Sequence, residues 1–258
     1  MKTKTIGFIG GGRITNILLH AFERSQVTFE KVVVYDPNTD SRNLLQQKFP
    51  YIATTDKMLE ALKVEVVFLA IHPPVMMETL TKMKGELNKD SLLVSLAPKI
   101  TMEKMSAALD GFTNMARMNP SASTFVNKGV NPVVFGESVS EKTKGQFLEL
   151  MQPLGHTPEV AEAKMEAYAV ISAMGHTYFF FQLQKLKELA IGFGMDETEA
   201  QTVISNMLWG TTETLFKSGL SFQEVADLVP VKPMGEVEET IKGYYDQFLT
   251  GIYAKIKS

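Results

Sequence analysis

Three consecutive glycines, Gly10-Gly11-Gly12, follow a short apolar run and lead into Arg13-Ile14-Thr15 at the start of a helical pattern. A glycine lets the chain turn tightly and lets its backbone come close to a bound group. The free N–H groups and dipole of the helix that follows favour negative charge. Strand, Gly-x-Gly turn and helix in that order point to a dinucleotide pyrophosphate held by Gly10, Gly12, Arg13 and Ile14. A glycine-rich turn without a ligand is the plain alternative. Thr15 stands where the pattern has its third glycine, which predicts slightly looser packing of helix on strand.

Asp36 lies 24 residues beyond Gly12, at the end of a second β-branched run. A carboxylate there accepts hydrogen bonds from the adenine ribose hydroxyls and repels a 2′-phosphate, which favours NAD over NADP. Asn38, Ser41 and Arg42 follow closely and offer groups that could reach a phosphate. A simple Asp-Pro-Asn turn is the other reading of the same residues. A third segment, Leu69-Ala70-Ile71-His72-Pro73-Pro74, ends a buried apolar run. Ligands of open α/β sheets sit outside the carboxyl ends of the strands, so Ala70, His72 and Pro73 join the candidate cofactor site.

These segments need a scaffold, and the periodicity supplies one. Strands are expected at residues 5–9, 31–35, 64–70, 91–96 and 132–135, and helices at 14–24, 40–49, 76–87 and 101–109. Continuous apolar strands separated by amphipathic helices predict a doubly wound parallel sheet covered on both faces, a Rossmann arrangement. Ser138 and Glu141 read as a capping box before a helix ending near Met151. After about residue 160 strand signals fade and helical periodicity dominates. The expected organisation is α/β: a dinucleotide-binding Rossmann domain over residues 1–160, then an all-helical dimerisation domain over 161–258. One long helix over 162–189 would bury much apolar surface, which suggests a helical dimer core.

Composition narrows the function. The chain has 258 residues, 45% of them hydrophobic, enough for a substantial core. A formal net charge of −3 gives no reason to expect a nucleic-acid partner. Having no cysteine, it forms no disulfide, thiolate nucleophile or cysteine metal site. His20, His72 and His156 are too scattered for metal ligands. The opening MKTKTIGFI is too short in its apolar part for a signal peptide, and no run is long enough to span a membrane. A cytoplasmic protein acting on a small molecule is expected.

The line FIGGGRI, VVVYDPN, FLAIHPP and LNKDSLLVSLAPKIT resembles the pyrroline-5-carboxylate reductase family in order and spacing. That family shows FIGxGNM, AVKP and SIAAG at the corresponding points. Arg117-Met118-Asn119-Pro120-Ser121 falls where the family has Arg-x-Met-Pro-Asn, and the resemblance adds Asn119 to the cofactor site. It also implies NAD(P)H-dependent reduction of a cyclic imine or related small carboxylate, a place in proline biosynthesis, and a homodimer with interleaved helical domains.

The substrate half departs from the family. Its Ser-Pro-Gly-Gly-Thr-Thr segment reads here Val231-Lys232-Pro233-Met234-Gly235-Glu236, and its Ser-Gly-Ser-Gly-Pro-Ala stretch reads Ser172-Ala173-Met174-Gly175-His176-Thr177. His176 suits passage of a proton and Lys232 suits a substrate carboxylate, so these are the candidate catalytic residues. A helix-capping histidine and a solvated lysine are the ordinary alternatives. Loss of the hydroxyls predicts slow turnover of pyrroline-5-carboxylate and better activity on another imine or keto acid. Two other functions share this architecture: a cofactor-binding regulator that has lost catalysis, and a 3-hydroxyacid dehydrogenase-like enzyme. The latter's Gly-x-x-x-Lys signature would put its lysine at Phe179, which argues against it.

Overall fold

The computed structural model describes residues 4–97 and 100–257. Pro98 and Lys99 of the LAPKIT stretch, and the first three residues of the chain, lie outside the described residues. Contacts divide the chain into two compact units, one running to Met174 and including the stretch from Tyr253, the other Gly175–Ile252.

The first unit alternates strand and helix: β1 (Thr5–Ile9), α1 (Arg13–Arg24), β2 (Lys31–Tyr35), α2 (Thr39–Lys48), β3 (Ala53–Thr55), α3 (Met58–Leu62), β4 (Val66–Leu69), α4 (Pro73–Met83), β5 (Leu92–Ser95), α5 (Met102–Ala108) and β6 (Met115–Met118). After these come β7 (Gly129–Val130), β8 (Val133–Phe135), α6 (Glu141–Met151) and β9 (Gly155–His156). Seven strands form one sheet in the order β3-β2-β1-β4-β5-β6-β8, all parallel except β8, which runs antiparallel to β6. Strand order reverses between β1 and β4, and in such sheets that is where the crevice for a ligand opens.

The strands are apolar on both faces because both are covered. Ile6, Phe8, Val34, Phe68 and Val94 point into one core with Leu18, Phe22 and Phe147. Their immediate neighbours Ile9, Val33, Val67, Leu69 and Leu93 point into the other with Leu62, Met76 and Met105. Successive strand side chains face opposite ways, so each continuous apolar run serves both layers.

The second unit holds α8 (His176–Gly192), α9 (Glu197–Lys217), α10 (Phe222–Asp227) and most of α11 (Glu238–Lys257), with α7 (Met165–Tyr168) lying before it in the first unit. Ser221 and Glu224 form a reciprocal capping box at the start of α10, as the sequence indicates. No residue of α8 is buried, although Phe179, Phe180 and Phe181 lie on it, and Trp209 and Phe216 of α9 are also exposed.

Three expectations are corrected. The single helix over 162–189 is interrupted: α7 runs into a π-helical turn (Ala169–Ala173), and α8 begins only after Gly175. The compact units part after Met174, and the segment before it is fastened to the sheet. Arg117 on β6, 2% exposed, pairs with Glu162 at 2.7 Å and Glu166 at 3.2 Å, and Met165, Ala169 and Val170 are buried. The cap of α6 is Ser140, which accepts from the N–H of Thr143, and Ser138 with Glu141 forms no capping box. The junction at Thr15 is tight, since this fully buried residue donates its hydroxyl to the Gly10 carbonyl at 2.6 Å.

Candidate functional site

The turn after β1 is fixed by its neighbours on both sides. The Gly10 N–H donates to the Tyr35 carbonyl at 2.8 Å, and the Ala70 N–H donates to the Ile9 carbonyl at 2.9 Å. Gly10 has φ +106°, and a Cβ there would come within 2.5 Å of the Ala70 carbonyl oxygen, so glycine is required. Gly12 is different. Its φ is −77°, and a Cβ there would meet nothing within 4 Å. The fold itself therefore does not require glycine at this position. Gly12 also caps α1 without any side-chain hydrogen bond, leaving the first-turn N–H groups to a ligand.

A cleft of about 610 Å³ opens here, over the carboxyl ends of β1, β2, β4 and β5. Gly10, Gly12, Arg13 and Ile14 line one side, Asp36 another, and Ala70, His72 and Pro73 a third. Eight of the ten sequence-derived cofactor positions therefore meet in one cleft. Asn38 and Asn119 do not line it. Asn38 caps α2, accepting from the Ser41 N–H at 3.0 Å. Asn119 is 7% exposed and donates to the Met165 carbonyl at 2.9 Å, so its amide is used in holding the segment that follows the sheet. Tyr35, Pro37, Ile71, Leu96 and Ala97 line the cleft without having been singled out. The signal for the last two was the strand end SLLVSLA, whose carboxyl terminus faces the same crevice.

The arrangement fits a dinucleotide. The pyrophosphate would rest on Gly10, Gly12 and the start of α1, with Arg13 adding positive charge, and an adenine ribose would reach Asp36. The Arg42 guanidinium donates to the Asp36 carbonyl at 2.7 Å and to Thr39 Oγ1 at 3.1 Å.

Within the second unit, Lys232 lines a cavity of about 740 Å³ whose wall includes Leu186, Met234, Ile241 and Tyr245. Lys242 lies on the same wall, but Glu238 at 2.7 Å and Glu239 at 2.9 Å hold its charge and push its ammonium pKa upward. Lys232 makes no such ion pair among the described residues. His176 opens α8, half-buried, with its ring stacked on Phe180 at 6.0 Å. It is not on the wall that Lys232 shares. Among the described residues no group of three or more carboxylates and histidines could hold a metal ion, and no helix is long and apolar enough to cross a membrane.

Fold and cleft together describe a Rossmann-like sheet with a glycine turn at its crevice, followed in sequence by a helical unit. The family described as NADP oxidoreductase, coenzyme F420-dependent, matches residues 5–99, and that described as pyrroline-5-carboxylate reductase dimerisation matches residues 162–252. The pyrroline-5-carboxylate reductase of Escherichia coli (strain K12) is 25% identical over 240 residues, covering 93% of this chain and 89% of the relative. That of Methanosarcina acetivorans is 24% identical over 255 residues, covering 98% and 93%. The fold matches the NADP-bound crystal structure of Plasmodium falciparum pyrroline carboxylate reductase with a TM-score of 0.81 at 17% identity, over 100% of this chain and 97% of the other. It matches the Streptococcus pyogenes 1-pyrroline-5-carboxylate reductase with a TM-score of 0.82 at 14% identity, over 100% and 99%. The chain is thus similar to pyrroline-5-carboxylate reductases over nearly its whole length.

Proposed function

We propose that this protein is an NAD(P)H-dependent reductase of a small cyclic imine carboxylate, pyrroline-5-carboxylate or a close analogue. The observation that carries the reading is the cleft of about 610 Å³ in the crevice of a doubly wound sheet, lined by the glycine turn, the first turn of α1 and Asp36. The bound dinucleotide supplies a hydride for the imine carbon. The chain's own residues hold and orient: the glycine turn and Arg13 take the phosphates, and Ala70, His72 and Pro73 bound the cleft beside them. Lys232, a cation with no ion pair among the described residues, is our choice for the substrate carboxylate, and His176 for the proton to the imine nitrogen.

NADH is the preferred cofactor in this proposal. A 2′-phosphate beside Asp36 would meet a like charge, worth about 4 kcal/mol at 4 Å for an effective dielectric near 20, while Arg42 is already engaged. The unburied apolar face of α8 and the match to a dimerisation family support a homodimer built through the helical unit. Calorimetric titration with NADH and NADPH, followed by turnover of pyrroline-5-carboxylate, tests the proposal. Tenfold tighter NADPH binding would reverse the cofactor preference, and no imine-dependent oxidation with either cofactor would remove the activity.

A further inference from the structure

Both oxygens of the Asp36 carboxylate accept backbone N–H groups, that of Gly11 at 2.8 Å and that of Asn38 at 2.8 Å. The second bond is local and shapes the Asp-Pro-Asn turn. The first reaches from the end of β2 into the middle of the glycine turn after β1. A Cβ at Gly11 would come within 3.2 Å of Asp36 Oδ2 and 2.6 Å of Leu45 Cδ1, so turn and carboxylate are packed against each other. The adjacent Gly12 faces open space.

We infer that Asp36 is a positioning residue for the pyrophosphate turn as well as a partner for the adenine ribose. By holding the Gly11 N–H it fixes the direction in which Gly12 and the free N–H groups of α1 present themselves. This rests on the cofactor reading above and adds a role that acts through Gly11. A carboxylate has about four acceptor sites, so it can take ribose hydroxyls while keeping both backbone bonds. Cofactor choice and turn geometry therefore depend on one group. A substitution at Asp36 meant to admit NADPH also loosens the grip on the pyrophosphate common to both cofactors.

The test compares wild type with Asp36→Ala and Asp36→Ser, titrated with NADH and with an NADH analogue lacking the 2′ and 3′ hydroxyls of the adenine ribose. The substitutions are expected to weaken the analogue by about tenfold, as loss of one hydrogen bond to a charged group would. If Asp36 served the ribose alone, they would leave analogue binding unchanged, and that result overturns the inference. Amide exchange in the unliganded wild type gives a second reading that needs no variant to fold. Protection at Gly11 is expected, and exchange there at the rate of an open loop overturns the inference. In a folded Asp36→Ala protein Gly11 should lose protection while Val33 and Phe68 in the core strands keep theirs, which general destabilisation would not produce. If wild type bound neither NADH nor NADPH, the cofactor reading would fail, and the exchange at Gly11 would still decide this one.

Discussion

The Thr15 hydroxyl donates to the Gly10 carbonyl at 2.6 Å inside a fully buried junction, so the residue standing in for the third glycine of the motif ties the helix back to the turn it follows. Thr15→Gly would restore the usual pattern and remove this bond, besides placing glycine near the start of a helix. It should cost about 1–2 kcal/mol of stability, read as a lower urea midpoint at unchanged slope. A variant as stable as the wild type would show that the bond contributes nothing.

The parallel sheet, its two faces and most of the lining of the cleft were legible in the sequence because each rests on a local signal: apolar runs of four or five residues, a glycine turn, a carboxylate at a strand end. β6 was not. Met115-Ala116-Arg117-Met118 consists of good helix formers with a charge among them, and it becomes a strand only because it lies between β5 and β8. β3 is three residues long and has no pattern of its own. Asn119 was placed in the cleft by resemblance, but the carbonyl that takes its amide, that of Met165, is 46 positions away in sequence and no local reading reveals it. The substrate end stayed open for a related reason, since a lysine in the loop between α10 and α11 and a histidine at the start of α8 carry no spacing rule.

Arg117 should be a point of fragility. Its side chain is 3% exposed, and its removal would leave Glu166, 16% exposed, without a cation, while Glu162 at 37% could rehydrate. Arg117→Met is expected to lose about 3 kcal/mol in chemical denaturation, and Arg117→Met combined with Glu166→Gln should recover part of it. A loss below about 1 kcal/mol would mean the buried pair is balanced by its desolvation.

Association should depend on the helical unit. Phe181 on α8 is 69% exposed in the single chain, an unusual cost for an aromatic in a row of three. Phe181→Asp should convert a dimer to monomer in sedimentation while the circular dichroism of the chain is retained. A wild type that sediments as a monomer would contradict the assembly.

The altered segment should limit the substrate. Where the family carries hydroxyls, this chain places Glu236, whose charge would oppose a substrate carboxylate. We expect kcat/KM for pyrroline-5-carboxylate below about 10⁴ M⁻¹s⁻¹ and roughly a tenfold gain in Glu236→Thr. A wild-type value above that range with no response to Glu236→Thr would show the segment has no part in recognition.

The most direct test follows NADH absorbance with pyrroline-5-carboxylate and related cyclic imines, in wild type and in Gly12→Val. A valine there fits the empty space of the fold but fills the place of the pyrophosphate. Imine-dependent oxidation of NADH is predicted in the wild type and none above background in the variant, with an unchanged unfolding midpoint. Equal rates in the two proteins would contradict cofactor binding on the glycine turn, and no imine-dependent oxidation in the wild type, with NADH or NADPH, would contradict the reductase itself.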